Sequence, residues 1–170
     1  MENNKIAMKV ERTIFHKVIE SLSLIILVAI ATDTVLSLEN LPNNVPIYAS
    51  FDGVLSGFVS NKVSILVFSV FALIGLVVCN LLGNNPSKLT YKVKITEENC
   101  RKQYSLATSY MKILGLEIVM VFSYLQFRVT RATLNGIDSI GGLHNIIFII
   151  MLIVTAIIYK MLSKKKDRHC

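Results

Sequence analysis

The sequence predicts an all-α fold, an integral membrane four-helix bundle with both chain ends on the cytoplasmic side and a folded outer loop between helices 1 and 2. Three observations lead there. Residues 63–82, VSILVFSVFALIGLVVCNLL, carry no charge, and about 20 residues at about 1.5 Å each cover the hydrocarbon core of a bilayer. Three more apolar stretches accompany this one. The 18 Lys and Arg residues are divided very unevenly among the segments that join the four.

Composition agrees. The chain is 53% hydrophobic and 17% charged, whereas a soluble domain has about a quarter of its residues charged. Its 170 residues suit one membrane domain and no separate soluble one. A net charge of +7 would raise nucleic acid as the partner of a soluble protein. Here the cations flank apolar runs, where cytoplasmic retention and contact with anionic lipid at the inner face account for them. The expected partner is therefore the lipid bilayer and not nucleic acid.

The first span covers about residues 15–38, centred on LSLIILVAIA (22–31). A basic tail followed by Ala29-x-Ala31 is also the pattern of a cleavable signal peptide. Glu2 and Glu11 in the tail, and apolar Val35, Leu36 and Leu38 beyond the cut, favour a retained helix. The outer loop, 39–62, reads ENLPNNVPIYASFDGVLSGFVSNK. Its prolines and Asn pair forbid a continuous helix, and Asp52-Gly53 signals a hairpin turn. Ile47, Tyr48, Phe51, Leu55 and Phe58 make the loop apolar enough to fold back onto the helix ends.

In the second span, 63–82, Ala72, Gly75 and Cys79, continued by Gly83, form a small-residue face that lets another helix approach closely. An intramolecular seam is the expectation and a homodimer seam the alternative. Gly83, Asn84, Asn85 and Pro86 end this helix and open the inner loop, 83–105. Thr96, Glu97 and Glu98 signal the start of the third helix about two turns before the membrane. This loop is the expected docking surface if the chain has a cytoplasmic or membrane protein partner. The third span covers about 106–128, the second outer loop 129–142, and the fourth span about 143–162.

The cations orient these spans. Lys5, Lys9, Arg12 and Lys17 lie in the tail; Lys88, Lys92, Lys94, Arg101, Lys102 and Lys112 are assigned to the inner loop; Lys160, Lys164, Lys165, Lys166 and Arg168 end the chain. These fifteen face only three on the other side, Lys62, Arg128 and Arg131. Positively charged segments stay in the cytoplasm, so both ends are inside.

Ionisable groups within a span are costly and usually face the bundle with a partner. At 100° per residue, Asn99, Gln103, Tyr110, Glu117, Tyr124 and Arg128 share one stripe of the third helix, which is expected to face the interior. Glu117 is the candidate site. Lys112 lies about 140° away around the helix, so Tyr159 and Lys160 of the fourth span are its expected partners. The group is either a structural bond that fixes helix packing or a protonatable, ligand-binding site. Asp33, near the outer surface, is expected to cap the outer loop, contact His144 or remain solvated.

Asp33, Asp138 and His144 are a weak outward metal candidate without H-E-x-x-H spacing, so neither metal nor cofactor is expected. His16 and His169 read as solvated. Cys79, Cys100 and Cys170 show no C-x-x-C spacing and read as free thiols. No G-x-S-x-G, P-loop or metal signature suggests an enzyme.

The outer loop carries a further pattern. Leu41, Pro42, Val45, Pro46, Gly53, Gly57, Phe58 and Ser60 fit L-P-x-x-[IV]-P-x-H-[FW]-[ND]-x-x-G-x-x-[DN]-[GR]-[YFW]-x-S-K. On these residues the chain resembles a bacterial membrane domain of unknown function that also forms the N-terminal part of SdpI-type immunity proteins. Tyr91–Phe127 looks like the matching half of the short, stand-alone members of that family. The chain departs from the pattern at Tyr48, Ala49, Ser50 and Ser56, and Lys62 arrives one residue late. Tyr48, standing where the pattern has His, keeps a hydrogen-bonding group but makes a poor metal ligand. The resemblance implies the bacterial cytoplasmic membrane and an immunity or signalling role, with the outer loop sensing or shielding against an envelope toxin. The alternative from the residues themselves is a small oligomeric transporter or exchanger using Glu117.

Overall fold

The computed structural model describes residues 12–46, 51–55, 59–91, 93 and 95–164. Among these, four helices are long and apolar enough to cross a membrane, which fits an all-α, multi-pass membrane protein. They are α1 (Ile14–Ser37), α2 (Val67–Asn84), α3 (Cys100–Leu134) and α4 (Leu143–Lys164). Between α1 and α2, strands β1 (Asn44–Pro46) and β2 (Val59–Asn61) pair antiparallel, with Val45 opposite Ser60.

Local chemistry sets the boundaries. Thr13 caps α1: its hydroxyl accepts from the His16 amide, and His16 Nδ1 accepts from the Thr13 amide, a reciprocal capping box. Asn61 Oδ1 accepts from the Val63 amide at 3.1 Å and starts the 3₁₀ turn Lys62–Leu66, which completes the second span. Pro86 follows the end of α2, where it cannot continue the helix. α3 begins after a turn in which the Thr96 carbonyl accepts from Cys100 N at 2.9 Å. With 35 residues it is about 52 Å long, longer than the roughly 30 Å hydrocarbon core of a bilayer and extending beyond the expected 106–128 span at both ends. Tyr91 ties down the segment before α3 by donating to the Pro86 carbonyl at 2.8 Å, and burial raises its phenol pKa above the ordinary range.

α3 is the central pillar. It packs along α2 and α1 and carries α4 on its remaining side. The expected small-residue seam lies between α2 and α3: a Cβ at Gly75 would sit 2.6 Å from Ile118, and one at Gly115 would sit 3.2 Å from Cys79. Ala72, Cys79 and Gly83 are buried with it. Leu27, Ala72, Leu76 and Val119 form the apolar centre of this three-helix unit. A second cluster, Leu41, Val45, Ile65, Val129, Ala132 and Ile140, lies under the hairpin. α4 differs from the others, since only His144 on it is buried.

Candidate functional site

Two polar nodes clamp the three-helix unit. At the hairpin end, Gln126 of α3 accepts from Ser69 of α2 at 2.7 Å and donates to Thr34 of α1 at 2.8 Å. Near the opposite end, Lys112 of α3 is 1% exposed. Its ammonium donates to the Glu20 carboxylate of α1, to Asn80 Oδ1 at 2.9 Å and to Asn84 Oδ1 at 3.1 Å, both on α2. An ammonium has three protons, and here each has an acceptor. Arg12 lies 4.0 Å from the other oxygen of Glu20. His16 is buried beside this node, its Nε2 at 2.9 Å from Ser109 Oγ.

This node corrects two expectations. Lys112 is not an inner-loop cation but an interior one, and His16 is not solvated. Both are buried because α3 begins at Cys100 and α1 at Ile14, so each lies inside a packed helix with polar partners at its own depth. A sequence signal was present: Asn80 and Asn84 stand one turn apart on one face of α2, and Glu20 lies two turns inside α1. With every proton engaged, the ammonium has nothing spare for acid catalysis or ligand binding. It holds three helices together.

The polar stripe on α3 faces α4, with Gln103 and Glu117 buried, Tyr110 half-buried, and Tyr124 and Arg128 exposed. Gln103 and Ser163 exchange two 3.0 Å hydrogen bonds. Tyr110 stacks on Tyr159 with ring centroids 4.5 Å apart. Glu117, 5% exposed, accepts a hydrogen bond from Thr155. Tyr124 meets His144 and Phe148 at 5.2 and 5.5 Å, and Arg128 donates to the Ile140 carbonyl at 3.0 Å. The residues recur about every seventh position, a spacing that returns nearly to the same helix face.

The expected partners of Glu117 are therefore corrected. Tyr159 is taken by Tyr110, and Lys160 is exposed beside it, about 10 Å from Glu117 along α3. Antiparallel α4 brings Thr155 to Glu117 instead. Among the described residues Glu117 Oε2 is buried without a hydrogen-bond partner. A cavity of about 220 Å³ opens beside this seam, lined by Phe15, Ser109, Tyr110, Thr155 and Tyr159 among others.

The two loops at the hairpin end are joined around Gly53. Leu55 donates to the Asp138 carbonyl at 2.8 Å, and Ile140 donates to the Gly53 carbonyl at 2.7 Å. Ser139 Oγ adds a 3.1 Å bond to the same carbonyl, and Asn145 Nδ2 donates to Phe51 O at 2.8 Å. Gly53 has φ 82°, and a Cβ there would lie 2.3 Å from the Gly141 backbone. Only glycine satisfies both conditions.

Of the loop signature, Leu41 and Val45 are buried in the cluster beneath, Pro42 is exposed, Pro46 ends β1 and Gly53 makes the turn. Gly57 and Phe58 lie outside the described residues, as do Tyr48, His169 and Cys170. Asp33 pairs with Arg131 at 2.6 Å, its side chain 35% exposed, so its partner is an α3 cation in place of the expected contact with His144. No group of three metal-ligating side chains occurs among the described residues. Cys79 and Cys100 are buried free thiols. Compared with family models, with curated proteins and with solved structures, the chain finds no match in any of the three.

Proposed function

We propose that the chain is a multi-pass protein of a bacterial cytoplasmic membrane, both ends inside, that binds rather than catalyses. In this reading it is an immunity or signalling protein of the SdpI-like kind whose outer cap meets an envelope toxin. The observation that carries the reading is the cap itself. Two loops 86 residues apart, joined through Gly53 and Ser139, have fixed relative positions, which is what a recognition surface requires. Exposed Phe51, Val59 and Ile137 give it apolar contact area. The orientation rests on cation bias, which survives removal of Lys112 from the count at fourteen to three.

The test is survival. Cells lacking the gene are challenged with a panel of envelope-directed killing peptides, then complemented with the native chain or with Gly53→Val, whose side chain collides with Gly141. The native chain restores survival against at least one peptide, and the variant inserts but fails to protect. Unchanged survival across the panel, or full protection by Gly53→Val, contradicts the reading.

A second reading is favoured by one specific observation, the buried and unpartnered Glu117 Oε2. A small exchanger built from two or more copies would use this carboxyl to couple transport. Glu117→Gln keeps the shape and the Thr155 contact but removes the charge. Vesicle transport by the native chain that the variant abolishes supports coupling; transport retained by the variant ends it.

A further inference from the structure

A second cavity, of about 540 Å³, is an open cleft between α1 and α4 with α3 as its floor. Its walls are nearly all carbon, from Ile26, Ile30, Met120, Phe127 and Phe148 among others. Two of its lining residues carry buried oxygens without a hydrogen-bond partner, Asp33 Oδ2 and Ser123 Oγ. At its mouth stands the Asp33–Arg131 ion pair, with side chains 35% and 44% exposed. The Arg131 guanidinium lies 5.2 Å from the centre of the Phe127 ring. Ser123 is eight residues earlier on α3 than Arg131, about 12 Å deeper. The cleft thus has a charged mouth over an apolar channel.

We propose that this cleft holds a phospholipid with a primary ammonium headgroup, drawn from the leaflet that meets the hairpin end. The acyl chain lies against the carbon walls. The phosphate meets Arg131, and the ammonium meets Asp33. The accessible edge of the Asp33 carboxylate is the one that serves Arg131, and a carboxylate oxygen has lone pairs enough to accept from the guanidinium and from the ammonium together. An occupant without N–H or O–H offers Asp33 nothing to accept, and a hydroxyl, as on a glycerol head, can donate but brings no positive charge to the carboxylate. A trimethylated head has the right charge but no N–H to donate, so it forfeits the hydrogen bond. Charge complementarity at the mouth therefore selects the headgroup, and the apolar channel accepts the tail. The assignment does not depend on which end of the bundle faces the cytoplasm, nor on the immunity or exchange readings.

The test uses the full chain in detergent and native mass spectrometry. Four phospholipids with the same acyl chains are titrated: phosphatidylethanolamine, its mono- and dimethylated forms, and phosphatidylcholine. The affinity of the first bound lipid falls along this series, by roughly fivefold from end to end for one partly exposed charge-assisted bond. Asp33→Asn flattens the series. Ala29→Trp, at an exposed cleft-lining position that leaves the ion pair untouched, fills the channel and weakens all four lipids together. The proposal is overturned by equal affinities on the native chain, by a series that persists in Asp33→Asn, or by unchanged binding to Ala29→Trp. A peptide helix co-purifying in the cleft in place of lipid also overturns it.

Discussion

Lys112 shows how a single side chain can decide helix geometry in an apolar solvent. A charged group inside a membrane protein is tolerated only when its protons or lone pairs are engaged, and the Lys112 ammonium reaches one acceptor on α1 and two on α2. Truncation to Lys112→Ala leaves the half-buried Glu20 carboxylate facing Asn80 and Asn84 without the ammonium that joined them, with Arg12 4.0 Å away as its remaining cation. The expected loss is about 3 kcal/mol, read as a lowered midpoint in denaturant or heat for the detergent-solubilised chain. The double variant Lys112→Met with Glu20→Met removes charge and partner together and recovers most of that loss. If the double variant is no better than the single one, the ion pair is not what makes Lys112 costly to remove. Glu117→Gln, by contrast, retains its acceptor for Thr155 and changes stability by less than about 1 kcal/mol.

At the scale of elements, the contrast is between the α2–α3 seam and α4. The seam is a close approach between backbones, and Gly75→Leu drives a side chain into Ile118, from which even a Cβ would be 2.6 Å away. Overpacking of this kind costs about 1–3 kcal/mol, and a thermal midpoint equal to that of the native chain would refute the seam. α4 is held mostly by side-chain pairs along one stripe, so it is the helix expected to loosen first. Replacing both Tyr159 and Ser163 by Ala should speed hydrogen exchange across α4 while leaving α1–α3 protection near native. Loss of protection in all four helices at once would show that α4 is integral to the core.

These elements also show what the sequence makes legible. The spans are readable because a water-soluble chain rarely carries a charge-free run of bilayer length. The α3 stripe is readable because its polar residues recur on one helix face amid Ile, Leu and Val. Which residue of α4 meets Glu117 is not readable, since α4 offers both Lys160 and Thr155 and only the antiparallel register chooses between them. Lys112 reads as a loop residue because a cation near a span end normally is one. The Gly53–Ser139 link is invisible because nothing in either loop names its partner 86 residues away.

For the whole molecule, the structure is a three-helix unit clamped near both ends by polar nodes, with α4 flanking it and a joined cap over one end. An outward-facing cap, and with it the immunity reading, depends on which way this object sits in the membrane. Cys79, Cys100 and Cys170 are first replaced by Ser, and a single cysteine is placed at Asn43, beside the hairpin, or at Ser87, between α2 and α3. A membrane-impermeant thiol reagent is then applied to intact spheroplasts. The account predicts labelling at position 43 in intact spheroplasts and at position 87 only after lysis; labelling of 87 with protection of 43 would contradict it.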